Sequence, residues 1–426
     1  MMRIFFKCFL LISLVCLPVW SASTLKLISV VFRHGDRTPN LWEQYPEDPH
    51  NTLLSKPSIE GKLTESGQLR ANNLGIFLRN RYNEFLKTNY SSGFVEARST
   101  KINRTQESLK LVLKGLYPEA SVPVIVNPIH NDYLFFPHIC IRYTVEYVKA
   151  KLSKDVKDEL NKLKDFRKNL TNWTGKKIKS ALDMYFIYHT LECENFMNLT
   201  LPPWTIGVYP DGDLLKGSVL EYKIMNYNKT MIRQNGGMLV KKFIEDMKKV
   251  KNGTMDRKRK IMLYSAHDIN IAAVLKALNV YYPHVPKFSS AVIVELHLKN
   301  QEYFVKILYY LGIPGKVEKL KIPGCNNWCP LNEFIHLTRN IVPEKLDSCN
   351  NGSIFKKNLF LRCTTDDVLL TYDPNFGVMS DFFEVMFAYT PMTFNVNLGL
   401  CSPLTYDLLK FKGMVKLLKI FTLLRI

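Results

Sequence analysis

The chain is poor in acidic residues, with 38 Asp and Glu against 58 Lys and Arg, a formal net charge of +20 over 426 residues. No RNP, zinc-finger or basic-zipper pattern accompanies that charge, so it does not mark specific nucleic-acid binding. It reads instead as a solvated basic surface that draws anionic substrates and adheres to polyanions. No segment repeats and none is of low complexity. No apolar run reaches the ~20 residues of a membrane-spanning helix. Cysteine is sparse, and Cys325-x3-Cys329 lacks a second Cys/His pair at zinc-finger spacing, which favours a small disulfide loop over zinc. What remains is the composition of a globular protein, 46% hydrophobic with 20 Gly and 21 Pro. The length suits one large domain with an insertion, or two domains sharing an interface.

Residues 1–23 read as a secretory signal peptide. Arg3 and Lys7 flank the start of the apolar run Phe9 to Val19, and Ser21, Ala22 and Ser23 supply small residues for cleavage. Eight Asn-x-Ser/Thr sequons, at Asn89, Asn103, Asn169, Asn172, Asn198, Asn228, Asn252 and Asn351, then point to a glycosylated surface. Past the leader seven cysteines remain, and the odd count leaves at least one thiol unpaired or intermolecular. The expected location is extracellular, with the lysosome as the alternative.

Leu25 to Phe32 is mostly apolar and β-branched, the pattern of a buried strand. Thr64 looks like the N-cap of a helix running to about Leu86, and a second helix is expected from about Thr105 to Leu116. Leu152, Val156, Leu160, Leu163, Phe166 and Leu170 recur at three- and four-residue spacing, which predicts one amphipathic helix. A helix through Leu239 to Met247, a short strand over Ile261 to Ser265 and a helix over Ile269 to Leu278 follow. Ala291 to Leu298 and Tyr303 to Tyr310 alternate like paired strands around Asn300-Gln301. The domain is therefore expected over 24–350, with an α/β core at about 24–134 and 236–350 and an α-helical cap at about 135–235. Residues 351–426 form an atypical tail whose last stretch, Leu408 to Ile426, carries four lysines and could lie on a membrane surface as a basic amphipathic helix.

Chemistry concentrates in Arg33-His34-Gly35-Asp36-Arg37-Thr38-Pro39, directly after the first strand. Ligands of open α/β sheets gather outside the carboxyl ends of strands. Two guanidinium groups around a histidine suit a tetrahedral phosphate dianion, and a histidine held there can attack phosphorus to form a covalent phosphohistidine. Gly35 permits a tight backbone and close approach of a ligand. Alone, the segment could equally be an ordinary polar loop with surface ion pairs. Ser265-Ala266-His267-Asp268 also ends an apolar strand and opens a helix, whose N-terminus favours anions. If the two strands are parallel neighbours, His267 meets His34, binding a phosphate oxygen while Asp268 protonates the leaving alcohol. Asp268 could also be the N-cap of that helix. Arg98-Ser99-Thr100 supplies a third guanidinium in Arg98, ahead of Asn103-Arg104-Thr105 at a helix start. Asn103 reads as that helix's cap, which would leave its sequon unmodified.

In this order and spacing, Arg33 to Pro39, Arg98-Ser99-Thr100 and His267-Asp268 resemble the histidine acid phosphatase family, in particular its lysosomal, prostatic and insect venom members. The resemblance covers roughly Leu25 to Cys349. It implies a phosphoglycerate-mutase-like, three-layer α/β sandwich with an α-helical cap. It further implies His34 as nucleophile, Asp268 as proton donor, and Arg33, Arg37, Arg98 and His267 as phosphate ligands. No metal or other cofactor is implied. Family disulfides carry over as Cys140–Cys349 and Cys325–Cys329, while the partner of Cys193 is replaced by Ala291, so Cys193 is expected to be unpaired. The implied substrate is a small phosphomonoester, with phosphoproteins and a second copy of the chain as further partners.

A carboxyl acting as general acid must start protonated, so falling pH favours it. Bound phosphate would raise the pKa of Asp268 while neighbouring cations lower it, and the sequence leaves that balance open. No cysteine begins a Cys-x5-Arg motif and no Gly-His-x-His segment occurs, which argues against cysteine phosphatases and two-metal acid phosphatases. His267-Asp268 favours an acid phosphatase or phytase over the mutases of the superfamily. The alternative of another class is a secreted, non-catalytic binder of polyanions, which would not need all six candidate site residues.

Overall fold

The computed structural model describes residues 24–312 and 316–344, with the backbone of two short paired strands at Leu370–Asp373 and Thr393–Val396. The leader, Cys349, Cys363, Cys401, the Asn351 sequon and the rest of the tail lie outside the described residues. The strand β1 (Leu25–Arg33) is followed by α1 (Asn51–Leu54), α2 (Glu65–Arg81), α3 (Asn83–Leu86), β2 (Val95–Ser99), α4 (Asn103–Leu116) and β3 (Val124–Val126). A helical stretch comes next: α5 (Ile141–Leu152), α6 (Lys154–Lys162), α7 (Lys164–Thr174), α8 (Ala181–Phe196), α9 (Asp213–Ile224), α10 (Lys229–Gln234) and α11 (Gly236–Lys251). β4 (Ile261–Ala266), α12 (Asp268–Ala277), β5 (Ala291–Lys299), β6 (Glu302–Tyr310), β7 (Val317–Leu320), β8 (Cys329–Pro330) and α13 (Leu331–Thr338) complete the order.

The sheet runs β3-β2-β4-β1-β5-β6-β7, with β8 beside β6. β3, β2, β4 and β1 are parallel, whereas β5 to β7 are antiparallel. β1 sits at the centre and is buried on both faces, which is why its sequence is an unbroken apolar run rather than an alternating one. Ile28, Val30 and Phe32 pack with the inner stripes of α2 and α4, and Leu27 and Val31 pack with α11 and α12. Each of these fully buried side chains contributes about 1.5–3 kcal/mol of transfer free energy. Three layers result. A separate apolar cluster, including Tyr147, Val156, Leu170, Met184, Ile187 and Leu214, holds α5 to α10 together.

Local sequence explains most boundaries. Thr64 caps α2, its hydroxyl accepting from Gly67 N at 3.0 Å. Asn300 and Gln301 take positive φ of 49° and 65°, the two-residue turn that matches the twist of β5 and β6. Three expectations fail here. The helix expected from Thr64 to about Leu86 ends at Arg81, with Asn83–Leu86 a separate turn of helix. The single helix predicted over 152–170 is broken at Ser153, whose backbone is extended, and at Leu163. Short segments bury Val156, Leu163 and Leu170 around the helical cluster, which one straight rod could not do. Asn103 does not cap α4: Ile102 is the N-cap and Asn103 is an exposed first-turn residue. Asn228 is a sequon asparagine that does hold a helix N-cap, accepting from Met231 N and donating to Glu146. Cys325 and Cys329 form the expected disulfide, Cys140 is disulfide-bonded, and Cys193 is free and buried.

Candidate active site

The parallel register lines up three strand ends: Arg33 pairs with Ala266, and Ser99 with Ser265. The residues that follow, His34, Thr100 and His267, therefore emerge together at one sheet edge. His34 and His267 lie edge to face with ring centroids 5.6 Å apart. The loop after β1 is pinned against the start of α2. A Cβ on Gly35 would lie 2.2 Å from the Gly67 carbonyl oxygen, so this glycine serves helix packing as well as any ligand. Asp36 is buried in an ion pair with Arg70 at 2.8 Å, and Gly35 N donates to Ser108 Oγ at 3.0 Å.

The nucleophile candidate is held in one tautomer. His34 Nδ1 lies 2.8 Å from the Gly35 carbonyl oxygen, which can only accept, so Nδ1 carries the proton. Nε2 is left with its lone pair, toward which Arg104 Nε donates at 3.0 Å. Burial, then the charges of Arg104, Arg33, His267 and Arg37, hold the His34 pKa well below the usual histidine range. Those charges favour the neutral ring. His267 is likewise depressed by burial and Arg104, and its Nε2 lies 3.2 Å from Thr100 Oγ1. The N-cap of α12 is His267 rather than Asp268, its backbone N–H donating to Asn270 Oδ1 at 3.1 Å.

The guanidinium groups divide. Arg37 grips Glu43 through two bonds of 2.7 and 2.6 Å. Arg33 is wholly buried over the Phe288 ring, donating to Glu192 at 2.8 Å and to the Pro286 carbonyl at 2.6 Å, while its Nε has no hydrogen-bond partner among the described residues. Arg98 is engaged elsewhere, donating to Asp132 Oδ1 at 2.5 Å. The guanidinium beside His34 is that of Arg104, a residue the sequence reading passed over. Its signal was available: Arg104 lies on the inward stripe of α4 with Thr105, Ser108, Leu109 and Val112, an odd place for a cation with no task.

Asp268, next in the chain after His267, is buried. Tyr185 and Tyr222 donate to its Oδ2 at 2.7 and 2.6 Å, and His189 Nε2 stands 3.4 Å from the same oxygen. Burial alone would raise its pKa, but His189, Arg33 and the Tyr222 hydroxyl outweigh it and hold the carboxyl well below the usual range.

Residues 24–310 match the histidine phosphatase superfamily (branch 2). Venom acid phosphatase Acph-1 of Apis mellifera is 40% identical over 366 residues, covering 80% of this chain and 94% of that protein. The chain belongs to the histidine acid phosphatase family. Prostatic acid phosphatase of Homo sapiens is 30% identical over 340 residues, covering 76% of this phosphatase and 87% of its relative. The phytase from Citrobacter braakii shares the fold, with a TM-score of 0.60 at 15% identity over 75% of this chain and 98% of that one. Among its described residues this histidine acid phosphatase has no helix long and apolar enough to cross a membrane.

Proposed function

We propose that the protein hydrolyses phosphate monoesters by passing the phosphoryl group through His34 Nε2 to water. The observation that carries this is the His34 Nδ1 contact with the Gly35 carbonyl, which leaves the Nε2 lone pair facing the Arg104 guanidinium at 3.0 Å. In the first step the Nε2 lone pair forms the N–P bond as the P–O bond to the leaving group breaks. Asp268 gives that oxygen its proton and the alcohol departs. Water then attacks phosphorus and returns a proton to the Asp268 carboxylate, while the N–P electron pair goes back to Nε2. Arg33, Arg37, Arg104 and His267 are assigned to the phosphate oxygens, where preorganised donors stabilise the charge that develops in transfer. Arg104 replaces Arg98 in this assignment, because Arg98 is committed to Asp132.

The depressed pKa of Asp268 fits an acid enzyme. The free carboxyl takes its proton only at low pH, and a bound phosphate anion raises its affinity for that proton. Catalysis is assigned to the domain over 24–350, with the helices at 135–235 as its cap. Export to an extracellular or lysosomal space is supported by the Cys325–Cys329 disulfide and by relatives named for venom, prostate and lysosome. The test is hydrolysis of an aryl phosphate between about pH 3 and 8 with EDTA present, since general acid catalysis sets the profile. Wild type should be most active in acid and His34→Ala inactive. A folded but inactive wild type would favour the polyanion-binding reading, and an active His34→Ala would remove the nucleophile.

A further inference from the structure

Three side chains on one face of α8 reach both halves of the site. Tyr185, His189 and Glu192 stand at i, i+4 and i+7, and all are buried. His189 Nδ1 is 3.1 Å from Glu192 Oε2, the oxygen that also receives Arg33 Nη2 at 2.8 Å. Its Nε2 faces Asp268 Oδ2 at 3.4 Å, an ion-pair contact rather than an aligned hydrogen bond. The ring therefore lies between two buried carboxylates. A neutral imidazole has one N–H and could serve only one of them, whereas an imidazolium serves both.

We propose that His189 is a positioning residue for the proton donor: as an imidazolium held between Glu192 and Asp268, it fixes the Asp268 carboxyl and sets how acidic the medium must be before that carboxyl carries a proton. This rests on the reading of Asp268 as donor. Glu192 anchors the arrangement, coupling it to Arg33 one residue before the nucleophile. Arg33 opposes the charge, its Nη2 standing 3.4 Å from His189 Nδ1, while the carboxylates around the ring favour it. Glu43 acts on His189 from the loop after β1, and the hydroxyls of Tyr185, Tyr222 and Tyr281 face Asp268. Arg33 and His267 are the other groups acting on Asp268 and its surroundings, and Tyr188 packs edge-on to His189 at 6.0 Å. Burial would strip the proton from His189, but the carboxylates outweigh it and its pKa is raised. Loss of that charge should let Asp268 hold its proton to higher pH while loosening its aim.

The experiment compares an aryl phosphate, whose leaving group needs little protonation, with glycerol 2-phosphate, whose alkoxide needs it fully. Asp268→Asn is the control and should lose far more on the alkyl ester. His189→Gln should lose about tenfold in kcat on the alkyl ester and little on the aryl one, part of the ~10²–10⁴ that general acid catalysis supplies. The alkaline limb of its kcat profile should move upward. Tyr222→Phe, which deletes only a hydroxyl, should move the limb the same way by less. Equal losses on both substrates with an unmoved limb in His189→Gln would overturn the proposal and leave the donor intact. Should His189→Gln not fold, an unmoved limb in Tyr222→Phe has the same force. If Asp268→Asn treats both esters alike, the donor reading itself fails and takes the proposal with it.

Discussion

Two arginines six residues apart offer a sharp contrast. Arg104→Ala removes the guanidinium 3.0 Å from the His34 lone pair, while Arg98→Ala removes one bound to Asp132. Deleting one preorganised donor at a reacting oxyanion costs about 10²–10³ in kcat, or about 3–4 kcal/mol, and Arg104→Ala should fall in that range. Arg98→Ala should change kcat less than about threefold, since no transition-state donor is lost. Its effect is on stability. Burial, opposed by Arg98, lifts the Asp132 pKa to about 6, so the stability this carboxyl contributes is complete below its ordinary value and lost as pH rises through 6. Without Arg98 the acid is neutral at pH 5 but must be ionised and unpaired, or stay protonated at a cost, at pH 7. With Arg98 partly exposed, the penalty at pH 7 is about 1–2 kcal/mol and smaller at pH 5. Steady-state kinetics on an aryl phosphate and urea melts at both pH values measure the two effects. A hundredfold loss of kcat in Arg98→Ala, or near-normal kinetics in Arg104→Ala, would refute the assignment.

Two further outcomes follow from the same geometry. Gly35→Ala places a methyl group 2.2 Å from the Gly67 carbonyl, so it should cost about 1–3 kcal/mol or more and displace the nucleophile loop, lowering both Tm and kcat. A wild-type Tm would show that the loop yields freely. Burial opposes ionisation of Glu192, but Arg33 and His189 hold its pKa at about 2, against 4.5 for a free glutamate. Its stabilisation is therefore full above pH 4.5 and lost as pH falls toward 2, up to about 3 kcal/mol. Glu192→Gln should flatten the acid limb of stability by about that amount in urea melts, and an unchanged pH slope would contradict the pairing.

Much of this was legible in the sequence because the informative residues are local. The apolar run of β1 ends in the Arg33-to-Pro39 segment, and β4 ends in His267-Asp268, so strand-end logic brings His34 and His267 together once the strands are parallel. Thr64 announces its helix by its own hydroxyl. The misses depend on distant partners. β2 alternates buried and half-buried positions, and nothing near Arg98 reveals that Asp132, from the segment after β3, will claim it. Arg104 was readable only from the inward stripe of α4. The links from α8 and α9 to Asp268 join residues 46 to 83 positions apart, and nothing local to Tyr185, His189 or Tyr222 marks them. The break at Leu163 reflects packing around the helical cluster, which helical periodicity cannot foresee.

The central claim is a covalent intermediate on one nitrogen of one residue. Rapid quench of the enzyme with aryl phosphate into alkali, which preserves phosphohistidine, followed by peptide mapping tests it most directly. The account predicts phosphate on Nε2 of His34, in the peptide spanning Arg33 to Arg37, with the signal raised in Asp268→Asn if breakdown slows more than formation. Phosphate on His267, or a burst of alcohol with no labelled histidine, would contradict it.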